Sequence, residues 1–128
     1  MPGRGSGKTL ACLFQDGPID SEAHMALLDE IRRKIEADEF EFSRHAVDQT
    51  IIRRISVREV RDVFPNAEVI EDYPDDKYGP SCLIFGMTAA ARPLHIQCSY
   101  PSRPLIKVIT LYEPDPGGWV DFKIRRAS

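Results

Sequence analysis

The side chains of this 128-residue chain that could move protons are His45, His95 and Tyr112, and those that could hold an anion are Arg44, Arg53, Arg54, Lys123, Arg125 and Arg126. These types suffice for metal-free cleavage of RNA, which needs a base for the ribose 2′-hydroxyl, cations for the charge that builds on phosphorus, and an acid for the leaving oxygen. Histidine and tyrosine handle protons, and arginine can grip a phosphate with two parallel N–H donors. His45 is the leading acid/base candidate, with Arg53 and Arg54 as phosphate ligands and Tyr112 and Arg125 as further candidates. Spacing alone does not bring them together.

Each candidate also has a packing role to be weighed. At the start of a helix His45 could hold the preceding loop to a sheet, and a helix N-terminus does not favour imidazolium. Arg53 and Arg54 could be solvated charges. His95 alternates with the apolar residues of its strand and is expected on an exposed face. Tyr112 could be a core or sheet-edge tyrosine, Trp119 reads as core, and Arg125-Arg126 could be a charged, fraying end.

Several other chemistries are set aside. Cys12, Cys82 and Cys98 are odd in number and contain no CxxC pair, which points to a reduced, cytoplasmic setting with Cys82 and Cys98 as buried thiols. His24, His45 and His95 are scattered, with no HExxH and no zinc spacing, so no metal and no cofactor is expected. Gly3-Arg4-Gly5-Ser6-Gly7-Lys8-Thr9 imitates a phosphate-binding loop, but the required first glycine is Pro2 and no strand precedes it, so nucleotide binding is not expected. No apolar run reaches the ~20 residues of a membrane span.

The elements that must position these residues follow from periodicity. Residues 1–25 read as a flexible tail or a non-native extension, and 26–128 as one domain. Leu27, Leu28, Ile31 and Ile35 mark an amphipathic helix. A second helix is predicted from Arg44 to Arg54, capped by Ser43 and burying Val47, Ile51 and Ile55. A third opens on the capping box Ser56-Val57-Arg58-Glu59, buries Val57, Val60 and Phe64, and stops at Pro65-Asn66. Beyond Asn66 the period becomes that of strands, around Ala67–Tyr73, Cys82–Met87, Leu94–Tyr100, Leu105–Tyr112 and Trp119–Arg125. Helices followed by consecutive strands predict an α+β fold, with N-terminal helices packed on a mainly antiparallel sheet of about four to five strands.

Phe42-Ser43-Arg44-His45-Ala46, followed by Arg53, Ile55-Ser56 and Glu59-Val60, resembles the opening motif of a bacterial family catalogued as domain of unknown function 4258. Later features fall in the same order: a strand ending in Gly86, Pro93-Leu94-His95, Val108-Ile109-Thr110-Leu111-Tyr112, Pro114, Trp119 and Arg125-Arg126. The resemblance spans about Ala26 to Arg126. It implies a fold like the RelE/ParE and BrnT toxins, many of them ribonucleases that act on mRNA, some at the ribosome, and are neutralised by an antitoxin protein. The family pattern usually carries an arginine four residues after its histidine, and here that residue is Gln49.

Two further classes remain open. The abutting second and third helices resemble a helix-turn-helix, with Arg53, Arg54, Arg58 and Arg61 facing DNA phosphate, although Glu59 and Asp62 lie in the would-be reading helix. A non-catalytic module that binds a protein partner through a sheet edge is the other. The net charge of -3 averages unlike segments: residues 1–25 carry 2 basic and 3 acidic groups, 26–76 carry 8 and 14, and 77–128 carry 7 and 3. A phosphate-binding face is therefore compatible with an acidic total.

Overall fold

The computed structural model describes residues 21–127. The glycine-rich segment 3–9, Cys12 and the expected tail as far as residue 20 lie outside them. The first helix, α1 (Ser21–Glu36), begins ahead of the expected boundary at Met25. His24, in its first turns, hydrogen-bonds Asp72 at 3.1 Å and ties this end to the sheet. Leu28, Ile31 and Ile35 recur on one face and are buried, each removal from water contributing roughly 1.5–3 kcal/mol. Asp38, in the left-handed conformation at φ 63°, turns the chain out of the helix region.

Strand β1 (Phe40–Phe42), helix α2 (Arg44–Ile52) and helix α3 (Val57–Val63) follow, and Phe64–Asn66 forms one 3-10 turn. Strands β2 (Glu68–Tyr73), β3 (Ser81–Met87), β4 (Pro93–Ser99) and β5 (Ile106–Tyr112) then run as consecutive antiparallel neighbours. The sheet order is β1-β5-β4-β3-β2, five strands with one parallel pair, because β1 lies alongside Ile106–Val108 of β5. The fold is the expected α+β arrangement. A short ribbon, β6 (Trp119–Val120) paired with β7 (Ile124–Arg125), completes the described chain. No helix among the described residues is long and apolar enough to cross a membrane.

The helices cover one face of the sheet, over Cys82, Ile84, Leu94, Ile96, Cys98, Ile106, Val108 and Leu111. The capping box at α3 forms as its sequence dictates: Ser56 Oγ accepts from the Glu59 amide at 3.1 Å, and Glu59 accepts from the Ser56 amide at 3.0 Å. α3 approaches β3 so closely that a Cβ on Gly86 would lie 2.7 Å from the Val63 carbonyl oxygen. That contact explains the glycine.

Helix α2 departs from its expected orientation. Val47, Ile51 and Ile52 are 44%, 71% and 70% exposed, whereas Ala46 is buried and Gln49 and Thr50 are half-buried. The rotation is set by Ser43, whose amide donates to the Val108 carbonyl at 2.9 Å and whose hydroxyl donates to that of Ile109 at 2.8 Å. Tethered in this way, the helix turns its small and polar side inward. Val57 is likewise 49% exposed, and Val60, Val63 and Phe64 supply the buried face of α3.

Candidate active site

The second face of the sheet carries Ser81, Leu83 and Phe85 on β3 and His95, Gln97 and Ser99 on β4, the alternates of the core residues. One end of it is roofed by the ribbon. Its turn places Asp121 and Phe122 both at positive φ, 52° and 62°, and a Phe in that conformation is strained. The strain aims a carbonyl: Phe122 O accepts from His95 Nε2 at 2.6 Å.

His95 was expected to be exposed, and it is fully buried. Alternation along the strand gives its face of the sheet, but that face is covered by Trp119, whose ring stands edge-on at 4.4 Å, with Phe85 and Tyr112 alongside. Because a carbonyl can only accept, Nε2 carries the proton. Burial pushes the imidazole pKa below its ordinary value, with the Phe122 carbonyl opposing. In the neutral ring Nδ1 is an acceptor, and it takes the Tyr112 hydroxyl at 3.2 Å. Burial raises the Tyr112 pKa, and the charges of Arg125, Glu71 and Arg53 all act on the same phenol.

Helix α2 supplies the other side. His45 is exposed near its start, with Nε2 hydrogen-bonded to Thr110 Oγ1 at 3.1 Å, two positions from Tyr112 on β5. Near its end, Arg53 Nε donates to Gln49 Oε1 at 2.6 Å. The departure at Gln49 thus exchanges a cation for an acceptor that positions Arg53. Arg44 and Arg54 are exposed, and their side chains make no hydrogen bond or ion pair among the described residues.

The remaining cations are engaged elsewhere. Arg125 binds both carboxylate oxygens of Glu71, at 2.8 and 3.2 Å, and lies over Trp119 at 4.7 Å. The Glu71 carboxylate, which also accepts from the Tyr73 hydroxyl, holds the Arg125 pKa above its ordinary value. Lys123 pairs with Glu68 at 3.0 Å, and Arg126 donates to the Pro116 carbonyl at 3.0 Å. Arg61, one of the cations a DNA-binding helix would present, contacts Asp38 and the Phe40 ring.

Sequence reasoning missed Arg92. Its guanidinium donates to the carbonyls of Arg53 and Arg54 at 2.9 and 3.0 Å, to Glu59 at 3.1 Å and to Glu113 at 2.9 Å. It closes the C-terminal end of α2, where carbonyls lack helical partners, and fixes the segment bearing Arg53. A charged residue at a strand start, next to a proline, was the only local signal. No cluster of His, Cys, Asp and Glu able to hold a metal is present among the described residues.

Residues 42–113 match the model of a family described as a domain of unknown function, DUF4258. The chain belongs to that family. No curated protein and no solved structure matches it. Within this DUF4258 chain the matched span opens at Phe42 and closes at Glu113, so it contains His45, Arg53, Arg92, His95 and Tyr112. Helix α1, Trp119 and Arg125 fall outside it, a narrower stretch than the motif resemblance covered.

Proposed function

We propose that this protein acts on RNA as a metal-independent endoribonuclease, in the manner of the toxin of a toxin–antitoxin pair. The observation that carries this reading is the Tyr112–His95 hydrogen bond, with His45 bonded to Thr110 two positions along the same strand and the charge of Arg53 acting on the phenol. The Tyr112 oxygen would take the proton of the ribose 2′-hydroxyl while the phenol proton passes to His95 Nδ1. The Phe122 carbonyl steadies the imidazolium so formed. Arg53 would hold the phosphate, and His45, reached from solvent, would protonate the leaving 5′-oxygen. The products are a 2′,3′-cyclic phosphate and a free 5′-hydroxyl.

The test is incubation of purified protein with single-stranded RNA in excess EDTA, alongside induction in a bacterial host. Wild type is expected to cleave and to slow growth. Tyr112→Phe, His95→Gln and His45→Ala each lose about 10²-fold or more in rate. RNA left intact by the wild type refutes catalysis, and unchanged rates in all three variants refute the assignment of residues.

A non-catalytic, partner-binding reading is favoured by a different observation, the outward apolar ridge of Val47, Ile51, Ile52 and Val57. An antitoxin covering this ridge would serve either reading. Ile51→Glu with Ile52→Glu should abolish association with a protein encoded beside this one, and unaltered association rejects the ridge as its site.

A further inference from the structure

The uncovered end of the same sheet face holds a groove of about 470 Å³. Its floor is Ser99, Lys107 and Ile109, and its walls are the loops carrying Tyr78 and Arg103. His95, Gln97 and Ser99 alternate along β4, so this floor continues the surface that carries Tyr112. From Lys107 to Tyr112 along β5 is roughly 15 Å at the rise of a strand.

The charge inventory points to the same place. Of the basic residues beyond residue 76, Arg92, Lys107, Lys123 and Arg125 face carboxylates, Lys107 only loosely at 3.9 Å from Glu41. Arg126 is held by a carbonyl. Arg103 is exposed and makes no ion pair or hydrogen bond among the described residues, and Lys77 lies over the Tyr78 ring at 5.0 Å. The one carboxylate in the groove, Asp76, is already engaged by the Tyr78 amide at 3.2 Å and the Ser81 hydroxyl at 3.3 Å. Tyr78 itself is 83% exposed, with Lys77 over one face of its ring and the rest of the aromatic surface in solvent.

We propose that this groove binds a nucleotide unit of single-stranded RNA, its base stacked on Tyr78 and its phosphate held by Arg103, with Lys77 and Lys107 beside it. The assignment rests on the RNA reading above and adds the place where the strand is gripped away from the reacting bond. An exposed aromatic platform next to unpaired cations is the recognition chemistry of an unpaired base and its backbone, and a duplex offers no free base face.

The probe is a fluorescein-labelled, 2′-O-methyl single strand of about 12 nucleotides, which cannot be cleaved, titrated by anisotropy from about 50 to 200 mM salt. Tyr78→Ala should weaken binding by about 5- to 100-fold, the usual worth of one stacked base. Arg103→Ala should lower the salt slope by about 0.7. Both positions are exposed, so the circular dichroism spectrum stays that of wild type, and cleavage of a dinucleotide too short to reach the groove is unchanged. Wild-type affinity and slope in both variants overturn the proposal, as does failure of the wild type to bind or equal affinity for a duplex. Tyr78-dependent binding with no cleavage of any RNA supports the groove and refutes catalysis alone.

Discussion

Replacing Arg92 with alanine removes the group that joins the end of α2 to the cap of α3 and the end of β5. The two carbonyl contacts, to Arg53 and Arg54, are charge-assisted, and with the Arg92 side chain 26% exposed about 1 kcal/mol each is reasonable. The ion pairs with Glu59 and Glu113, whose side chains are 26% and 50% exposed, contribute about 0.5 kcal/mol each after screening. Their loss also leaves Glu59 and Glu113 without the cation they share. The expected cost is about 3 kcal/mol, or a fall in Tm of roughly 10–20 °C for a domain of this size. Thermal and urea unfolding followed by circular dichroism measure it. Arg92→Lys should recover at most the ion-pair share, since an ammonium cannot fork between two carbonyls and two carboxylates. A Tm within about 2 °C of wild type for Arg92→Ala, or full recovery by lysine, would refute the reasoning.

Gly86→Ala drives a methyl group against the Val63 carbonyl, which belongs to a helix and cannot yield as a side chain can, so a loss of about 1–3 kcal/mol in urea unfolding is expected. Ile51→Ser and Ile52→Ser should change stability by less than about 0.5 kcal/mol, because both side chains are already in solvent. Burial lowers the His95 pKa from its ordinary 6.5, so between the two values the unfolded chain binds a proton that the native chain does not. Stability from this group is therefore full above that pH and falls as the pH drops through the window, by up to about 1.4 kcal/mol per unit, and His95→Gln should remove this slope from urea midpoints measured across pH 5 to 8.

Local signals were legible where local contacts decide the outcome. The Ser56–Glu59 box, the α1 stripe and the strand alternation all depend on neighbours a few residues away, and each was readable. The orientation of α2 was not, because it is fixed by Ser43 bonding to β5 far along the chain. The apolar period there describes an outward ridge at Val47 and Ile51, while Ile55, beyond the end of the helix, is buried as its spacing predicts. His95 shows the same limit: alternation gives its face of the sheet, while burial depends on a ribbon that returns over that face. Charge counting was blind to pairing, since the basic excess after residue 76 is largely answered by Glu41, Glu59, Glu68 and Glu71 from the acidic stretch before it. What remains unanswered of that excess is concentrated at Lys77 and Arg103.

The ribbon that supplies His95 with its carbonyl begins beyond the span shared with the family. A polypeptide trimmed at Glu113 would keep every strand of the main sheet, yet Phe85 and His95 would meet water and the imidazole would lose its fixed tautomer. A C-terminal boundary drawn at the end of the shared span would thus yield a stickier protein with an ordinary histidine. For this chain, the useful unit for expression extends at least through Arg126.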